Sequence, residues 1–498
     1  MSSLLSVIVF LPLLGAAVIP LVCRKRPETA KWVALGFSGA GLALTAWLVA
    51  VFDRAVPGMQ FTIDVPWVAQ AGLHYHLGVD GISITMLALS SLLGVVAVIA
   101  SWKMSERAPA YFAMLLLLQV GMNGVFVALD FVLFYVFWEL VLVPMFFLIG
   151  MWGGERREYA SIKFFIYTLA GSVFMLVGII AMYLAGGTFD MVALARMGAS
   201  GVFSPAFQGW VFAAFFLGFA VKVPVWPLHT WLPDAHVEAP TAASVLLAGV
   251  LLKMGTYGFI RVSLPMLPAA TRAWAPWIAV LAVISIVYGA AVAFAQTDLK
   301  KLVAYSSVSH MGFVMLGIFS LTAAGLDGAV AVMFSHGIVT GMLFLLVGVV
   351  YDRAHTRKIA DIGGLSAAMP VAGGLLAFAS FASLGLPGLS GFVGEFLSLV
   401  GAWQSGSGPN AVIPHWLTII AAVGVLLAAA YMLWMVMRVV LGTPTEIVAG
   451  LPEITGREIA ALAPLITLTL VVGVWWSSLL GFVDPAVKVL AAVFAGGA

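Results

Sequence analysis

A short series of ionisable side chains lies within otherwise apolar segments of this sequence. A charged side chain in a bilayer costs roughly 2.5–3.5 kcal/mol on insertion scales, so such residues indicate a functional site. Histidine titrates near neutrality and can pass a proton between its two ring nitrogens. The series therefore predicts a route for protons or small cations through a membrane. Its members are Glu139, Lys222, Lys253, His310, His336 and Glu395.

Glu139 and Lys222 are predicted to form the first pair of this series. Burial favours the neutral amine of Lys222, whereas a nearby carboxylate favours the ammonium. The proton occupancy of Lys222 would then depend on the position and charge of Glu139, as a switchable proton site requires. The alternative is a static ion pair that holds two helices together. Lys253 lies too far from the ends of its apolar segment for its amine to reach water easily, so a relay role is predicted there too.

The two histidines and Glu395 complete the predicted route. A lone histidine in a membrane is often only a hydrogen-bonded polar residue. The position of His310 and His336 between Lys253 and Glu395 in chain order favours a relay instead, with Glu395 as the terminal exchange group.

A second polar cluster, PLHTWLPDAH, contains His229, Asp234 and His236, which resemble metal ligands. Their place at a predicted helix break near the membrane surface favours helix capping and loop hydrogen bonds. Asp298, Lys300 and Lys301 are interpreted as the charged start of a helix at the same surface. Neither a metal site nor a cofactor site is predicted in this chain.

Composition identifies the elements that must position these side chains. The 498 residues are 63% hydrophobic and 9% charged, with a mean hydropathy of +1.12. A bilayer must therefore cover much of the apolar surface. The apolar runs predict an all-α polytopic membrane protein with about 14 transmembrane helices of roughly 20 residues each. The single cysteine, Cys23, excludes disulfides and cysteine-bound iron–sulfur clusters within the chain.

Two of these helices are predicted to be broken. The seventh has Pro224 and Pro227 just after Lys222, and the twelfth has Pro387 and Gly388 just before Glu395. Proline removes a backbone donor and glycine relaxes the helix, which leaves carbonyls free for water or an ion. Paired broken helices in opposite orientations indicate a transport site, although each break alone is also compatible with an ordinary proline kink.

Charge asymmetry predicts the orientation in the membrane. Sixteen of the 23 basic residues fall in loops on one face and five on the other. The face with sixteen should be cytoplasmic, which places both termini on the periplasmic side of a bacterial inner membrane. The alternating segment 52–79 predicts a small surface β-hairpin on the periplasmic side.

Several segments resemble the antiporter-like subunits of proton-pumping NADH–quinone oxidoreductase, respiratory complex I. These segments are HLGVDGISITML, FYVFWELVLVPMFFLIG, FAVKVPVWPLHTWLPDAHVEAPTAASVLLAGVLLKMGTYG, QTDLKKLVAYSSVSHMGFV and GLPGLSGFVGEF. The glutamate at position 395, where most of the family has lysine, resembles the subunit M (mitochondrial chain 4) type.

The resemblance implies two inverted five-helix repeats at 109–262 and 273–441. N-terminal helices 1–3 with the hairpin loop at 1–108, and a loop with helix 14 at 442–498, flank them. It also implies that Glu139 and Lys222 form a gating ion pair, that Lys253 is the central lysine, that His310 and His336 belong to the hydrated axis, and that Glu395 is the terminal site.

The resemblance further implies a proton-translocating membrane-arm subunit that performs no redox chemistry itself. FMN, iron–sulfur clusters, NADH and quinone would bind to partner subunits, and the other membrane-arm subunits and lipids would be the partners of this chain. A subunit of a stand-alone Na+/H+ antiporter would use the same buried residues and remains an alternative. A passive scaffold, whose buried charges only pin helices together, is a third.

Overall fold

The computed structural model describes residues 3–24, 26–407 and 411–495, and these ranges are helical almost throughout. Lys25, one of the basic residues counted for orientation, lies outside the described residues. The described helices are α1 Leu4–Val22, α2 Ala30–Val51, α3 Gly81–Ala100, α4 Ala108–Val127, α5 Phe131–Leu140, α6 Leu142–Trp152, α7 Arg157–Gly186, α8 Met191–Ala199, α9 Pro205–Lys222, α10 Trp231–Glu238, α11 Thr241–Leu246, α12 Leu252–Gly258, α13 Leu264–Met266, α14 Pro268–Phe294, α15 Leu299–Phe319, α16 Ala323–Ala354, α17 Leu365–Ala368, α18 Pro370–Ser383, α19 Ser390–Ser405, α20 His415–Met435, α21 Gly456–Val474 and α22 Ser477–Ala495.

Shorter helical turns and one hairpin complete the described chain. Single 3₁₀ turns span Pro27–Thr29, Ala69–Ala71 and Ile359–Asp361, and π-helical turns span Leu247–Leu251, Phe259–Ser263 and Val436–Val440. The strands β1 Gln60–Val68 and β2 Leu73–Val79 pair antiparallel, which confirms the hairpin predicted in 52–79.

Fourteen helical segments of the described chain are long and apolar enough to cross a membrane, so the predicted all-α polytopic fold is confirmed. They include α22 but neither half of the broken twelfth helix, α18 and α19, because each half is short by itself. The sequence prediction ended the fourteenth span at 481, whereas α21 ends at Val474 and α22 follows as a separate helix.

The contacts of α22 place it across one end of the helix bundle. A Cβ at Gly81, the first residue of α3, would lie 1.8 Å from the Phe482 carbonyl oxygen. Arg272, near the start of α14, donates a hydrogen bond to the Phe494 carbonyl at 3.2 Å. Because these helix starts lie at the end that also carries β1, β2 and α8, we call that end the hairpin face.

The helix breaks occur where the sequence predicted them. α9 ends at Lys222, and the chain passes Pro224 and Pro227 before α10 begins at Trp231. The Trp231 indole donates to the Val221 carbonyl at 2.9 Å, so one carbonyl at the break is capped by a side chain. In the twelfth helix, α18 ends at Ser383 and α19 begins at Ser390.

Glycine makes the second break possible. Gly385 and Gly388 have φ values of +80° and +94°, a region that L side chains rarely adopt. The chain can therefore turn between α18 and α19 and place Glu395 one turn into the second half-helix.

A local feature recurs in the two halves of the chain. Asp130 caps the start of α5 and forms an isolated β-bridge with Asp190, which follows α7. Asp298 caps the start of α15 and forms the same bridge with Lys358, which follows α16. The partners are 60 positions apart in both cases, as a repeated unit requires. The repeats at 109–262 and 273–441, and the flanking parts 1–108 and 442–498, remain predictions that this recurrence supports.

Three spans form the interior of the bundle. The most apolar windows within 241–266 and 323–354 are wholly buried, and that of 299–319 is 94% buried. A helix that is apolar on all sides is favoured at such a position because other helices, rather than lipid, surround it. These three spans carry Lys253, His336 and His310, so the predicted relay residues occupy the centre of the protein.

Candidate functional site: a buried chain of titratable groups

Lys253 and His336 are in direct contact inside the bundle. The Lys253 Nζ lies 2.6 Å from the His336 Nδ1, and it also donates to the Ala248 carbonyl. Ala248 belongs to the π-helical turn Leu247–Leu251, and such turns often occur at functional sites. Two of the three ammonium donors are thereby used within the protein. The Lys253 side chain has no solvent exposure, so these contacts replace water as its partners.

His310 and Glu395 form the second contact. The His310 Nδ1 lies 2.6 Å from the Glu395 Oε1, and the His310 Nε2 lies 3.2 Å from the Ser383 hydroxyl. The break between α18 and α19 brings this about, because Ser383 ends the first half-helix and Glu395 lies in the second. Both His310 and Glu395 are about 5% exposed, so they are shielded from bulk water.

The two contacts lie next to each other. The rings of His310 and His336 are 5.7 Å apart between centroids, and a cavity of about 20 Å³ touches both rings and Glu395. A cavity of that size can hold one water molecule. The His336 Nε2 and the Glu395 Oε2 are buried without a protein partner. The Nε2 can donate to such a water or accept from it, according to its tautomer, and the carboxylate oxygen can accept from it.

The predicted pair of Glu139 and Lys222 is not in direct contact. Lys222 is buried at the end of α9, and its Nζ lies 5.3 Å from the centroid of the Trp138 ring. Glu139, the next residue, is half-buried, and no salt bridge of the described chain joins it to Lys222. The aromatic face of Trp138 therefore takes the place next to the ammonium that the carboxylate was predicted to occupy.

The polar cluster at the first break behaves differently from the prediction. Asp234 forms a salt bridge with Lys163 at 2.7 Å. The ring nitrogens of His229 and His236, in contrast, are buried without hydrogen-bond partners, so the predicted loop hydrogen bonds are wrong for both histidines. The His236 ring instead stacks on Phe344, with centroids 4.6 Å apart.

Lys300 lies at the helix start where the sequence predicted it, but its side chain is buried. Asp298 does cap α15, but Lys300 is only 6% exposed and donates to the Ala239 carbonyl at 2.5 Å. It lines a cavity of about 430 Å³ at the end of the bundle opposite the hairpin face.

His236 and Lys300 are residues that sequence reasoning did not assign to the route. Both lie in short polar segments at helix ends, where capping is the more common role. No local pattern in the sequence distinguishes these two residues from ordinary polar residues at helix ends.

This fold and this buried chain of titratable groups define a class of membrane proteins. Residues 128–421 match the family model of the NADH:quinone oxidoreductase/Mrp antiporter transmembrane region. The chain is 48% identical to NADH-quinone oxidoreductase subunit M of Rhodobacter capsulatus, over 98% of this chain and 96% of the relative. It is 41% identical to subunit M of Rickettsia conorii, over 99% of both chains.

Solved structures agree with these relatives. A chain of respiratory complex I from Thermus thermophilus superposes with a TM-score of 0.89 at 31% identity, covering 99% of this chain and 100% of that one. A chain of the Mrp complex from Dietzia has a TM-score of 0.83 at 24% identity, covering 99% of this chain and 52% of that one, and shares the fold. The chain belongs to the NADH:quinone oxidoreductase/Mrp antiporter family, and within it to the subunit M (chain 4) type. It is a multi-pass integral membrane protein.

Proposed function

We propose that this chain is a proton-translocating membrane-arm subunit of an NADH–quinone oxidoreductase, driven by quinone reduction in neighbouring subunits. The observation that carries the proposal is the central part of the predicted route, which we call the central series: Lys253, His336, His310 and Glu395. These four side chains come from four helical segments and meet in the buried centre through contacts of 2.6 Å and a cavity for one water. A proton can move along such groups without any of them leaving the protein interior.

Entry and exit of the proton follow from the two ends of this series. The cavity of about 430 Å³ that Lys300 lines opens opposite the hairpin face, and His236 lies between it and Lys253 in our proposal. Glu395 lies at the other end, beside the break of the twelfth helix. Protons would then pass from the cytoplasmic side to the hairpin face, which is periplasmic in a bacterial inner membrane, as are both termini.

The chemistry of the series favours protons over sodium ions. Three of its four members are nitrogen bases, which carry protons, whereas alkali cations require several oxygen ligands. The ammonium of Lys253 would repel a sodium ion at the centre of the route. A stand-alone Na+/H+ antiporter is therefore the less well supported function for this site.

The energy for proton transfer would come from the redox reaction in the partner subunits. Moving one proton against about 100 mV costs about 2.3 kcal/mol. FMN, iron–sulfur clusters, NADH and quinone would be held by partner subunits. Their reaction would reach this chain as an electrostatic change near Glu139 and Lys222. Trp138, which lies over the Lys222 ammonium, would let that charge shift relative to Glu139 instead of holding it in a fixed ion pair.

The test is NADH-driven quinone reduction and proton uptake in inverted membrane vesicles that carry Lys253→Met. Lys301→Met, three residues after Asp298 in the first turn of α15 and outside the series, is the matched control. A positioned proton-transfer group is worth about 10²–10⁴-fold, so we expect at least a tenfold loss for Lys253→Met and little change for Lys301→Met. Rates are divided by the amount of assembled complex.

The other outcomes separate the alternatives. Normal turnover in assembled Lys253→Met complex would overturn the proposal, and a loss of assembly with normal specific turnover would favour the scaffold. Glu139→Gln, measured in the same way, tests the coupling to quinone reduction separately, because that residue lies outside the central series.

A further inference from the structure

Three potential metal ligands converge where the hairpin meets the segment before α8. Asp64 in β1 and His76 in β2 are direct cross-strand partners. The His76 Nδ1 lies 3.0 Å from the Asp190 Oδ2. One ligand atom from each of Asp64, His76 and Asp190 lies within 4.8 Å of the others. None of these residues belongs to the buried proton series.

We propose that Asp64, His76 and Asp190 bind one divalent transition-metal cation, with Zn²⁺ as the best match. Zinc accepts imidazole nitrogen at about 2.0–2.1 Å and carboxylate oxygen at about 2.0–2.2 Å in tetrahedral geometry. Those lengths place neighbouring ligand atoms about 3.3 Å apart, close to the observed separation between His76 and Asp190. The cation takes the place of the proton between these two side chains, and a water occupies the fourth position.

The surrounding contacts orient two of the ligands. The Ala193 amide donates to the Asp190 Oδ1 at 2.7 Å, which leaves the Oδ2 free for the cation. The His74 Nδ1 lies 2.6 Å from the Asp64 Oδ1, which leaves the other Asp64 oxygen. Hydrogen bonds that fix the free half of a ligating carboxylate in this way are typical of metal sites, and their loss commonly weakens binding 10- to 100-fold.

The negative charge of the cluster and its exposure to solvent also favour the binding of a cation. The carboxylate of Asp130 lies beside the same cluster and accepts a hydrogen bond from the His74 amide at 3.2 Å. Three carboxylates therefore surround two imidazoles, so the cluster is anionic whenever the histidines are neutral. The Asp64 side chain is 50% exposed and that of Asp190 is 29% exposed, so an ion can enter from the aqueous phase.

A bound cation would join three elements at the hairpin face. β1 supplies Asp64, β2 supplies His76, and the segment before α8 supplies Asp190. Asp130, which caps α5, forms a backbone bridge with Asp190, so the same clamp extends to the start of the helix that carries Glu139. The alternative is that His74–Asp64 and His76–Asp190 are two ordinary hydrogen bonds and that the cluster binds no metal.

The experiment measures Zn²⁺ binding by equilibrium dialysis and elemental analysis, using the intact complex purified in buffers without added Zn²⁺. Wild type is compared with Asp64→Asn and His76→Gln. Asp53→Asn, an exposed aspartate on the same loop, is the matched control. We expect wild type and Asp53→Asn to bind one more Zn²⁺ per complex than Asp64→Asn and His76→Gln, or to bind it at least tenfold more tightly.

Co²⁺ in place of Zn²⁺ reports the geometry of the same site through its visible absorption. A tetrahedral spectrum present in wild type and absent in Asp64→Asn supports the proposal. Equal binding of Zn²⁺ by wild type and both variants overturns it, because the ion would then be adventitious or held by other subunits. Asp64 is exposed and caps no helix, so Asp64→Asn keeps the test decisive even if His76→Gln disturbs the hairpin.

Discussion

Lys253 and His336 are 83 positions apart in the chain, yet their side-chain nitrogens lie 2.6 Å from each other in the centre of the bundle. A protonated lysine can only donate hydrogen bonds, whereas imidazole can accept a proton at one nitrogen and release another from the second nitrogen. The charge can therefore move from one helix to the next while both side chains stay buried. The His336 Nε2 has no protein partner, and His336 lines the same cavity as His310.

Replacing His336 with glutamine tests whether this contact carries protons. The amide can still accept a hydrogen bond from Lys253, but it cannot take up a proton. We expect proton uptake and NADH-driven quinone reduction to fall at least about tenfold, with normal assembly. His355→Asn is the control, because His355 is exposed and asparagine tolerates its left-handed backbone. A normal rate in His336→Gln would reduce His336 to a hydrogen-bond acceptor.

Glu395 and Ser383 both contact His310, and their substitution should have unequal effects. Glu395→Gln keeps a hydrogen-bond partner for the His310 Nδ1 but removes the titratable carboxylate. We expect a loss of proton uptake of about tenfold or more. Ser383→Ala removes only the partner of the Nε2, so the rate should fall no more than about threefold. Equal effects of the two variants would show that Glu395 positions His310 and does not exchange protons.

The Arg261–Asp80 pair near the hairpin face should contribute to the stability of the fold and should take no part in proton transfer. The Arg261 Nη2 lies 2.7 Å from the Asp80 Oδ2 and donates to the Ser83 hydroxyl at 3.0 Å. Asp80→Asn leaves the buried guanidinium without its counter-charge, which typically costs about 3–5 kcal/mol of unfolding free energy. Thermal unfolding in detergent measures this loss. Asp484→Asn, which breaks the exposed pair with Lys488, should cause no measurable change.

The contact between His76 and Asp190 should weaken above neutral pH when no metal is present. Burial lowers the pKa of His76, but the hydrogen bond and charge of Asp190, with Asp64 and Asp130, outweigh it and raise the pKa. Burial raises the pKa of Asp190, but the His76 hydrogen bond and the Ala193 amide lower it overall. A raised histidine pKa contributes stability that is present at low pH and is lost as pH rises through the folded value. The lowered aspartate pKa contributes stability that is lost only in acid.

Hydrogen exchange of the hairpin amides measures the predicted loss of stability above neutral pH. With a chelator present, the amides of β2 should exchange faster at about pH 8 than at about pH 6, after correction for the intrinsic rate. His76→Gln should remove the difference. Equal protection of the wild-type hairpin at both pH values would contradict the sign of the His76 contribution.

Sequence alone predicted the membrane class, the hairpin, the two helix breaks and the identity of the buried titratable residues. Each follows from local information. A bilayer requires about 20 apolar residues per span, proline and glycine interrupt helices wherever they occur, and an ionisable residue inside an apolar span is visible without knowing its neighbours.

Partner choice was decided by the tertiary structure. The sequence placed Glu139 next to Lys222, but helix rotation puts Trp138 there. It placed His236 at a helix break near the membrane surface and Lys300 at the charged start of a helix, but the packing of the surrounding helices buries both. Lys253 meets His336, and His310 meets Glu395, because four segments distant in the chain pack side by side. Their rotation about their own axes depends on all the side chains between them. No local pattern encodes that rotation, so which charges meet is settled only when the bundle is assembled.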